Sequence, residues 1–278
     1  MTGGFCSVNG RLVPAAEAVV PVDDINFAYG FGVYETLKLR RRVLYFPDYH
    51  ERRLFNSAEI IGLEHAWKPG DLVGMLRELV AANRREDANL KVLLVGGDGP
   101  ERSRLYCMCL NPLYPERRDF RDGARALVWP GERIYPQAKT LSMLQSVLAY
   151  REARRAGAYD AVFLGRDGTL TEGTRTNLFF TDGERLFTPP AERVLEGVTR
   201  MTIIQAAGEA GLAVEERPLP EAGLADYAGF FLSSTSTRIM PLKLLGGHAS
   251  GIPELVRRLM KLYDDWLERW AAGQAAVF

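Results

Sequence analysis

Asn-Gly and Asp-Gly turns set between short apolar runs place the tightest constraint on how this chain can fold. Asn9-Gly10 separates Ser7-Val8 from Arg11-Leu12-Val13, the pattern of a two-residue β-hairpin. Arg166-Asp167-Gly168 and Thr181-Asp182-Gly183 are turn signals flanking strands, with the apolar segment Asn177 to Phe180 between them. Val33 to Leu39 and Arg42 to Phe46 read as another strand pair. Leu90 to Val95 and Arg104 to Leu110 surround a Gly-rich turn. Elsewhere the apolar spacing becomes helical: His50 to Ile61, Leu72 to Ala82, Lys139 to Arg155 and Gly197 to about Ala210. The last helix, Pro253 to Trp270, sets Leu255, Leu259, Leu262, Trp266 and Trp270 on one face, which reads as packing on a core.

The 278 residues are enough for two modest domains. Asn111 to Asp122 is polar and rich in Pro and Arg. We place a linker at about 116–121, between an N-terminal domain over 1–115 and a larger domain over 122–278. Acidic and basic residues balance to a formal net charge of zero, so bulk electrostatics gives no case for nucleic acid or an anionic membrane as a partner. The three cysteines are odd in number, and Cys107-x-Cys109 would share one face of a strand as small buried apolar residues. No His or Cys partners stand at metal-ligand spacing, so no metal is expected. Met1 to Phe5 carries no basic region before an apolar run, and no stretch approaches the ~20 apolar residues of a membrane span. The expected location is the cytoplasm.

Two places offer what a phosphate needs. Gly197-Val198-Thr199 enters a helix, whose first amides are free donors at the positive end of the dipole. Ser234-Thr235-Ser236-Thr237 is a hydroxyl cluster following an apolar strand. Each has an ordinary alternative, a plain helix start and a plain polar loop. Gln137-Ala138-Lys139-Thr140 lacks the glycine of a phosphate-binding loop, Gly96-Gly97-Asp98-Gly99 is not followed by a helix, and no Ser sits in a nucleophile elbow.

The whole-chain pattern is more informative. Lys139-Thr140-Leu141-Ser142-Met143-Leu144, Glu152-Ala153, Gly157, Asp160-Ala161 and Thr171 to Phe179 follow in order, then Thr188-Pro189-Pro190, Leu195 to Arg200, Ser234-Thr235 and Pro241. Upstream stand Tyr29-Gly30, Gly32-Val33-Tyr34-Glu35 and His50-Glu51-Arg52-Arg53-Leu54. Over nearly its whole length the chain resembles the class IV aminotransferases. These are the fold type IV pyridoxal-phosphate enzymes, which include branched-chain aminotransferases, D-amino acid aminotransferases and aminodeoxychorismate lyases. The resemblance implies a two-domain α+β and α/β fold: a small N-terminal α/β domain and a larger, mixed, barrel-like domain with helices. It implies pyridoxal 5'-phosphate as cofactor, held between the domains, and a homodimer.

The resemblance also assigns roles. Lys139 would bind the cofactor aldehyde and carry the substrate Cα proton, for which its pKa must be lowered. Glu172 would keep the pyridine nitrogen protonated. Arg52 would bind the phosphate, with Val198, Thr199, Ser234 and Thr235. Leu195 would pack on the ring, Thr174 would lie beside it, and Tyr34 would line the substrate pocket. Ser236 and Thr237 could offer backbone amides to a substrate carboxylate, and Arg238 a guanidinium.

The family member is less determined. Glu101 and Ser103 stand where D-amino acid enzymes carry an Arg and a His, and Lys91 stands where branched-chain enzymes carry an Arg. Lyase members tend to have Thr in place of Glu35, which favours transamination. The expected reaction is transfer of an amino group between a branched-chain or other apolar amino acid and a 2-oxo acid. The alternatives are a D-amino acid transaminase and a lyase that releases pyruvate.

Overall fold

A computed structural model describes residues 3–112 and 115–278. Met1 and Thr2 of the N-terminal segment, and Leu113 and Tyr114 of the polar stretch before the expected linker, lie outside the described residues. The chain forms two compact units. The first comprises 1–113 with 138–142 and 273–278; the second comprises 114–137 and 143–272. The segment carrying Lys139 thus belongs with the N-terminal residues. The stretch read as a linker contains a short helix, Arg117–Asp122, within the second unit.

The first unit contains β1 (Phe5–Val8), β2 (Arg11–Pro14), α1 (Ile25–Ala28), β3 (Gly32–Arg40), β4 (Val43–Leu44), α2 (Pro47–Ile60), α3 (Asp71–Asn83), β5 (Ala88–Val95) and β6 (Arg104–Leu110). Its strands form one antiparallel sheet in the order β2-β1-β6-β5-β3-β4. Asn9 and Gly10 both take positive φ, 51° and 80°, the conformation that lets a two-residue turn follow the strand twist. Alternation along β3 sends Val33, Glu35, Leu37 and Leu39 to one face. The apolar three pack with Leu54 and Ala58 of α2 and Leu72, Leu76 and Leu79 of α3. Cys107 and Cys109 are buried in this core as free thiols.

The second unit contains α4 (Arg117–Asp122), β7 (Ala124–Pro130), α5 (Leu144–Arg155), β8 (Asp160–Leu164), β9 (Thr169–Gly173), β10 (Asn177–Thr181) and β11 (Leu186–Thr188). It continues with α6 (Val198–Glu209), β12 (Val214–Glu216), β13 (Leu219–Pro220), β14 (Gly229–Ser234), β15 (Arg238–Leu245), β16 (His248–Ala249) and α7 (Glu254–Ala272). The mixed sheet runs β10-β14-β15-β7-β8-β9, and β9 pairs back onto β10. The six strands therefore close into a barrel, the mixed architecture expected for this domain. Phe180, Phe187, Phe230, Leu232, Met240 and Leu242 belong to its core. The closing contact is a single residue pair, Asn177 opposite Glu172.

Two helices depart from the sequence reading. The helix expected from Lys139 begins only at Leu144. Residues 139–141 are instead drawn out along β3: Tyr34 N donates to Lys139 O at 2.9 Å, and Leu141 N donates to Gly32 O at 2.8 Å. Tertiary hydrogen bonds here override a helical apolar spacing. The helix then buries its small residues, Ser146, Ala149 and Ala153, while Leu144 and Leu148 stay exposed. Ala149 and Ala153 pack on Ala158, Ala161 and Phe163, a close approach that a leucine face would prevent. In α7 the buried residues are Val256, Leu259, Tyr263, Trp266 and Leu267, whereas Leu255, Leu262 and Trp270 are half-buried. The face is turned because Tyr263 buries its ring and bonds its hydroxyl to Thr202 at 2.7 Å.

Candidate active site

In the first unit the site begins with Glu35. Strand alternation places it on the helix-covered apolar face, where it is fully buried. An isolated carboxylate there would be prohibitive. α2 answers with His50 and Arg53, one turn apart on one face. Arg53 donates from Nε to Oε1 at 2.6 Å and from Nη2 to Oε2 at 2.8 Å, and His50 Nδ1 lies 2.7 Å from Oε2. Burial alone would raise the carboxyl pKa. The Arg53 charge and the hydrogen bonds from Arg53 and His50 outweigh it and hold Glu35 well below the ordinary carboxylate range. Burial lowers the pKa of His50, with Glu35 only partly countering it, so the ring is neutral at pH 7. Further along the same helix face, Ser57 Oγ accepts from the Lys139 amide at 3.1 Å.

The opposite face of β3 carries Tyr34, which is buried. Two ε-amines converge on its ring: Lys91 Nζ lies 3.5 Å from the centroid and Lys139 Nζ 4.5 Å. Tyr34 and Lys139 are thus neighbours. Glu35 points the other way, so its identity bears on the setting of His50 and Arg53 and not on Tyr34's side of the sheet. Arg52 is exposed, with its guanidinium 5.0 Å from the Tyr49 ring. It lines an outer groove with Asp48, Glu51, Glu59 and Glu64, acidic company for a phosphate ligand. Its neighbour Arg53 shares the helix face of His50 and Ser57.

In the second unit Glu172 is buried on β9. Its Oε2 accepts from Leu195 N at 3.2 Å and Asn177 Nδ2 at 3.4 Å, and Oε1 lies 2.9 Å from Arg133 Nε. The ion-pair distance to Arg133 is short, but its angle falls outside hydrogen-bond geometry, so we read it as charge contact. Asn177 also donates to Leu195 O at 2.8 Å. A Cβ on Gly197 would fall 1.9 Å from Asn177 Oδ1, so only glycine permits this approach. Gly197 is the N-cap of α6 and makes no side-chain cap hydrogen bond, leaving the first amides, those of Val198 and Thr199, as donors at the positive helix end. Asn177 pairs across the sheet with Ser233, which leads into the Ser234–Thr237 turn. Within this unit one asparagine therefore links Glu172, Leu195, the uncapped helix and the strand that ends in the hydroxyl turn.

Other sequence candidates are engaged elsewhere. Thr174 Oγ1 donates to the buried Asp160 at 2.5 Å, joined by Thr176 Oγ1 at 2.8 Å, so Thr174 supports the loop after Glu172. Ser234 Oγ and Thr237 Oγ1 bond each other at 2.8 Å. Arg238 Nη1 donates to Asp264 of α7 at 2.6 Å, which commits its guanidinium to the C-terminal helix instead of a substrate carboxylate. The sequence reading gave no role to His50, Arg53, Ser57, Asn177, Asp160 or Arg133. The period-two pattern of β3 and the i, i+3, i+7 spacing on α2 would have exposed the first three.

Among the described residues no three or more His, Cys, Asp or Glu side chains gather as for a metal, and no helix is long and apolar enough to cross a membrane. The amino-transferase class IV family model matches residues 32–245. A D-alanine aminotransferase of Bacillus licheniformis is 30% identical over 253 residues, covering 87% of this chain and 89% of that protein. A putative branched-chain-amino-acid aminotransferase of Methanocaldococcus jannaschii is 28% identical over 280 residues, covering 95% and 96%. A solved structure, branched-chain aminotransferase from Thermoproteus uzoniensis with norvaline, superposes with a TM-score of 0.90 at 25% identity, covering 99% of this chain and 100% of that one. With Lys139, Glu172 and the uncapped helix at Val198 all inside the matched span, the chain belongs to the class IV aminotransferase family.

Proposed function

We propose that this aminotransferase uses pyridoxal 5'-phosphate to move an amino group between a branched-chain or other apolar amino acid and a 2-oxo acid. The observation that carries the reading is the Asn177-centred group: a buried carboxylate and an uncapped helix N-terminus tied to one side chain. The donor set of the second unit fits the cofactor, since it offers a fixed negative charge for a pyridinium and amides and hydroxyls for a phosphate; Lys139 is the amine proposed for the aldehyde. When bound, the cofactor supplies an aldehyde carbon for amine capture and a ring that accepts electron density. Glu172, its Oε2 fixed by Leu195 N and Asn177 Nδ2, would keep the ring nitrogen protonated. Val198, Thr199, Ser234 and Thr235 bind the phosphate, and the placement of Arg53 on the Ser57 face favours it over Arg52 as the arginine of that set. Leu195 covers the ring. Lys139 Nζ would capture the cofactor aldehyde and carry the substrate Cα proton, and Tyr34 would bound the substrate space. Ser236 and Thr237 amides meet the substrate carboxylate.

The relatives include both D-alanine and branched-chain enzymes, and Lys91 and Glu101 match neither arginine device, so a D-amino acid transaminase is the second reading. The working form is proposed to be a homodimer, supported by the exposed Leu144, Val147 and Leu148 on α5. A cytoplasmic location is supported by three free cysteines. The test is the visible spectrum of the purified protein during addition of single L- and D-amino acids. A band that shifts with apolar L-amino acids and yields glutamate with 2-oxoglutarate is expected. A response to D-amino acids alone selects the second reading, and no visible band even after added pyridoxal phosphate overturns both.

A further inference from the structure

Asp160 is a fully buried carboxylate that the roles above leave unused. It opens β8, and three donors of its own unit converge on it. Oδ1 accepts from Thr174 Oγ1 at 2.5 Å and from the Ala161 amide at 2.9 Å, and Oδ2 accepts from Thr176 Oγ1 at 2.8 Å. Both threonines belong to the short segment that joins Glu172 to Asn177. That segment is also held by backbone bonds: Gly173 N donates to Thr176 O at 2.7 Å, and Thr174 N to Ala161 O at 3.0 Å. A Cβ on Gly173 would fall 2.0 Å from Thr176 Oγ1 and 2.7 Å from Asp160 Oδ2, so carboxylate and turn pack too closely for any side chain there. Arg175, between the two threonines, is exposed.

A turn of this length can close on backbone bonds alone. Sealing a carboxylate beneath it costs stability that its partners must offset. The strands on either side explain the arrangement. Among the described residues β9 and β10 share one register pair, Glu172 opposite Asn177, so ladder bonds do little to fix how these two residues stand to each other. The connection between them must do so, and Asp160 grips that connection at two points. We propose that Asp160 is a positioning residue for the cofactor, holding the 173–176 segment through the Thr174 and Thr176 hydroxyls so that Glu172 and Asn177 keep the spacing that aims the Glu172 carboxylate at the ring nitrogen. The inference rests on the role given to Glu172 in the proposed function.

The test measures dissociation constants of the full chain, freed of cofactor, for pyridoxal 5'-phosphate and for 1-deazapyridoxal 5'-phosphate, in which a C–H replaces the ring nitrogen. The first alone can use Glu172. The ratio of the two constants therefore reads the placement of that carboxylate, whereas general damage to the fold weakens both ligands alike. Thr176→Val removes one Asp160 bond and keeps the side-chain shape; it should reduce the preference for the nitrogen-bearing ring about tenfold, the scale of one hydrogen bond to a charged group. Asp160→Asn should reduce it at least as far. Thr176→Ser, which keeps the hydroxyl, should retain the wild-type preference. Equal weakening of both ligands in Thr176→Val, or no change in either, overturns the proposal and leaves Asp160 a structural anchor; the Thr176 variants decide this even if Asp160→Asn fails to fold. Glu172→Gln separates the two levels. An unchanged ratio in Glu172→Gln sinks the role of Glu172 and this inference with it, while a collapsed ratio there beside an intact one in Thr176→Val sinks the inference alone.

Discussion

Among the described residues each unit buries one carboxylate completely, and the two are treated in opposite ways. Glu35 in the first unit is met by a guanidinium and an imidazole, and its pKa is held down. Asp160 in the second is met by the Thr174 and Thr176 hydroxyls and the Ala161 amide. Burial wins there and raises its pKa, with the hydroxyl bonds and the Arg175 charge only partly countering it. The first unit thus gathers cations around a strand that also faces two lysines. The second meets Asp160 with neutral donors, while the Arg133 guanidinium stands beside Glu172.

The largest effect should come from Lys139→Ala, which removes the amine itself: turnover with 2-oxoglutarate should fall by about 10³-fold or more, equivalent to about 4 kcal/mol. A variant that retained a tenth of the activity would remove Lys139 from the chemistry. Next, Glu35→Gln leaves Arg53 buried without its counter-charge and should destabilise by about 3 kcal/mol in urea unfolding. The two carboxylates should also show pH slopes of opposite sign. A depressed pKa contributes stability that is full above the unfolded value, about 4.3 for Glu, and is lost as pH falls through the folded one, so the gap between wild type and Glu35→Gln should begin to narrow below about pH 4 and close only in stronger acid. A raised pKa works the other way. The advantage of wild type over Asp160→Asn is fullest below the unfolded Asp value and shrinks as pH rises through the folded one. Parallel slopes in the two variants would erase the contrast.

Asn177→Ala should weaken pyridoxal phosphate binding about tenfold, since it leaves Leu195 O and Glu172 with one donor fewer. Equilibrium titration of the cofactor reads this directly, and unchanged affinity would detach Asn177 from the site. The smallest effect is expected from Arg52→Ala, within about 0.5 kcal/mol on stability and binding alike, as for an exposed surface residue. Arg53→Ala in the same assay should be severe. If Arg52 proved the costlier loss, the assignment of the two arginines would be reversed.

The strands were legible because their turn residues announce themselves: Asn9-Gly10 could scarcely be anything but a hairpin. The family pattern around Lys139, Glu172 and Val198 was legible because those segments follow one another with few changes of spacing. Three things were not. The extended course of residues 139–141 depends on the Tyr34 amide, which donates to Lys139 O, and the Gly32 carbonyl, which accepts from Leu141 N, both remote in sequence. The choice between Arg52 and Arg53 turns on helix phase, which adjacent letters do not reveal. The commitment of Thr174 to Asp160 and of Arg238 to Asp264 is made by partners remote in sequence, so hydroxyl and guanidinium groups that looked available were already taken.

The barrel of the second unit closes through one residue pair, Asn177 and Glu172, and these are the side chains assigned to hold the cofactor ring. A seam so narrow is the place where hydrogen exchange should begin, because few ladder bonds resist its opening. Anything that binds Glu172 in the closed arrangement then acts on the whole cylinder. Loading the protein with pyridoxal phosphate would slow exchange in β9 and β10 first, and melting temperature would follow cofactor concentration by mass action.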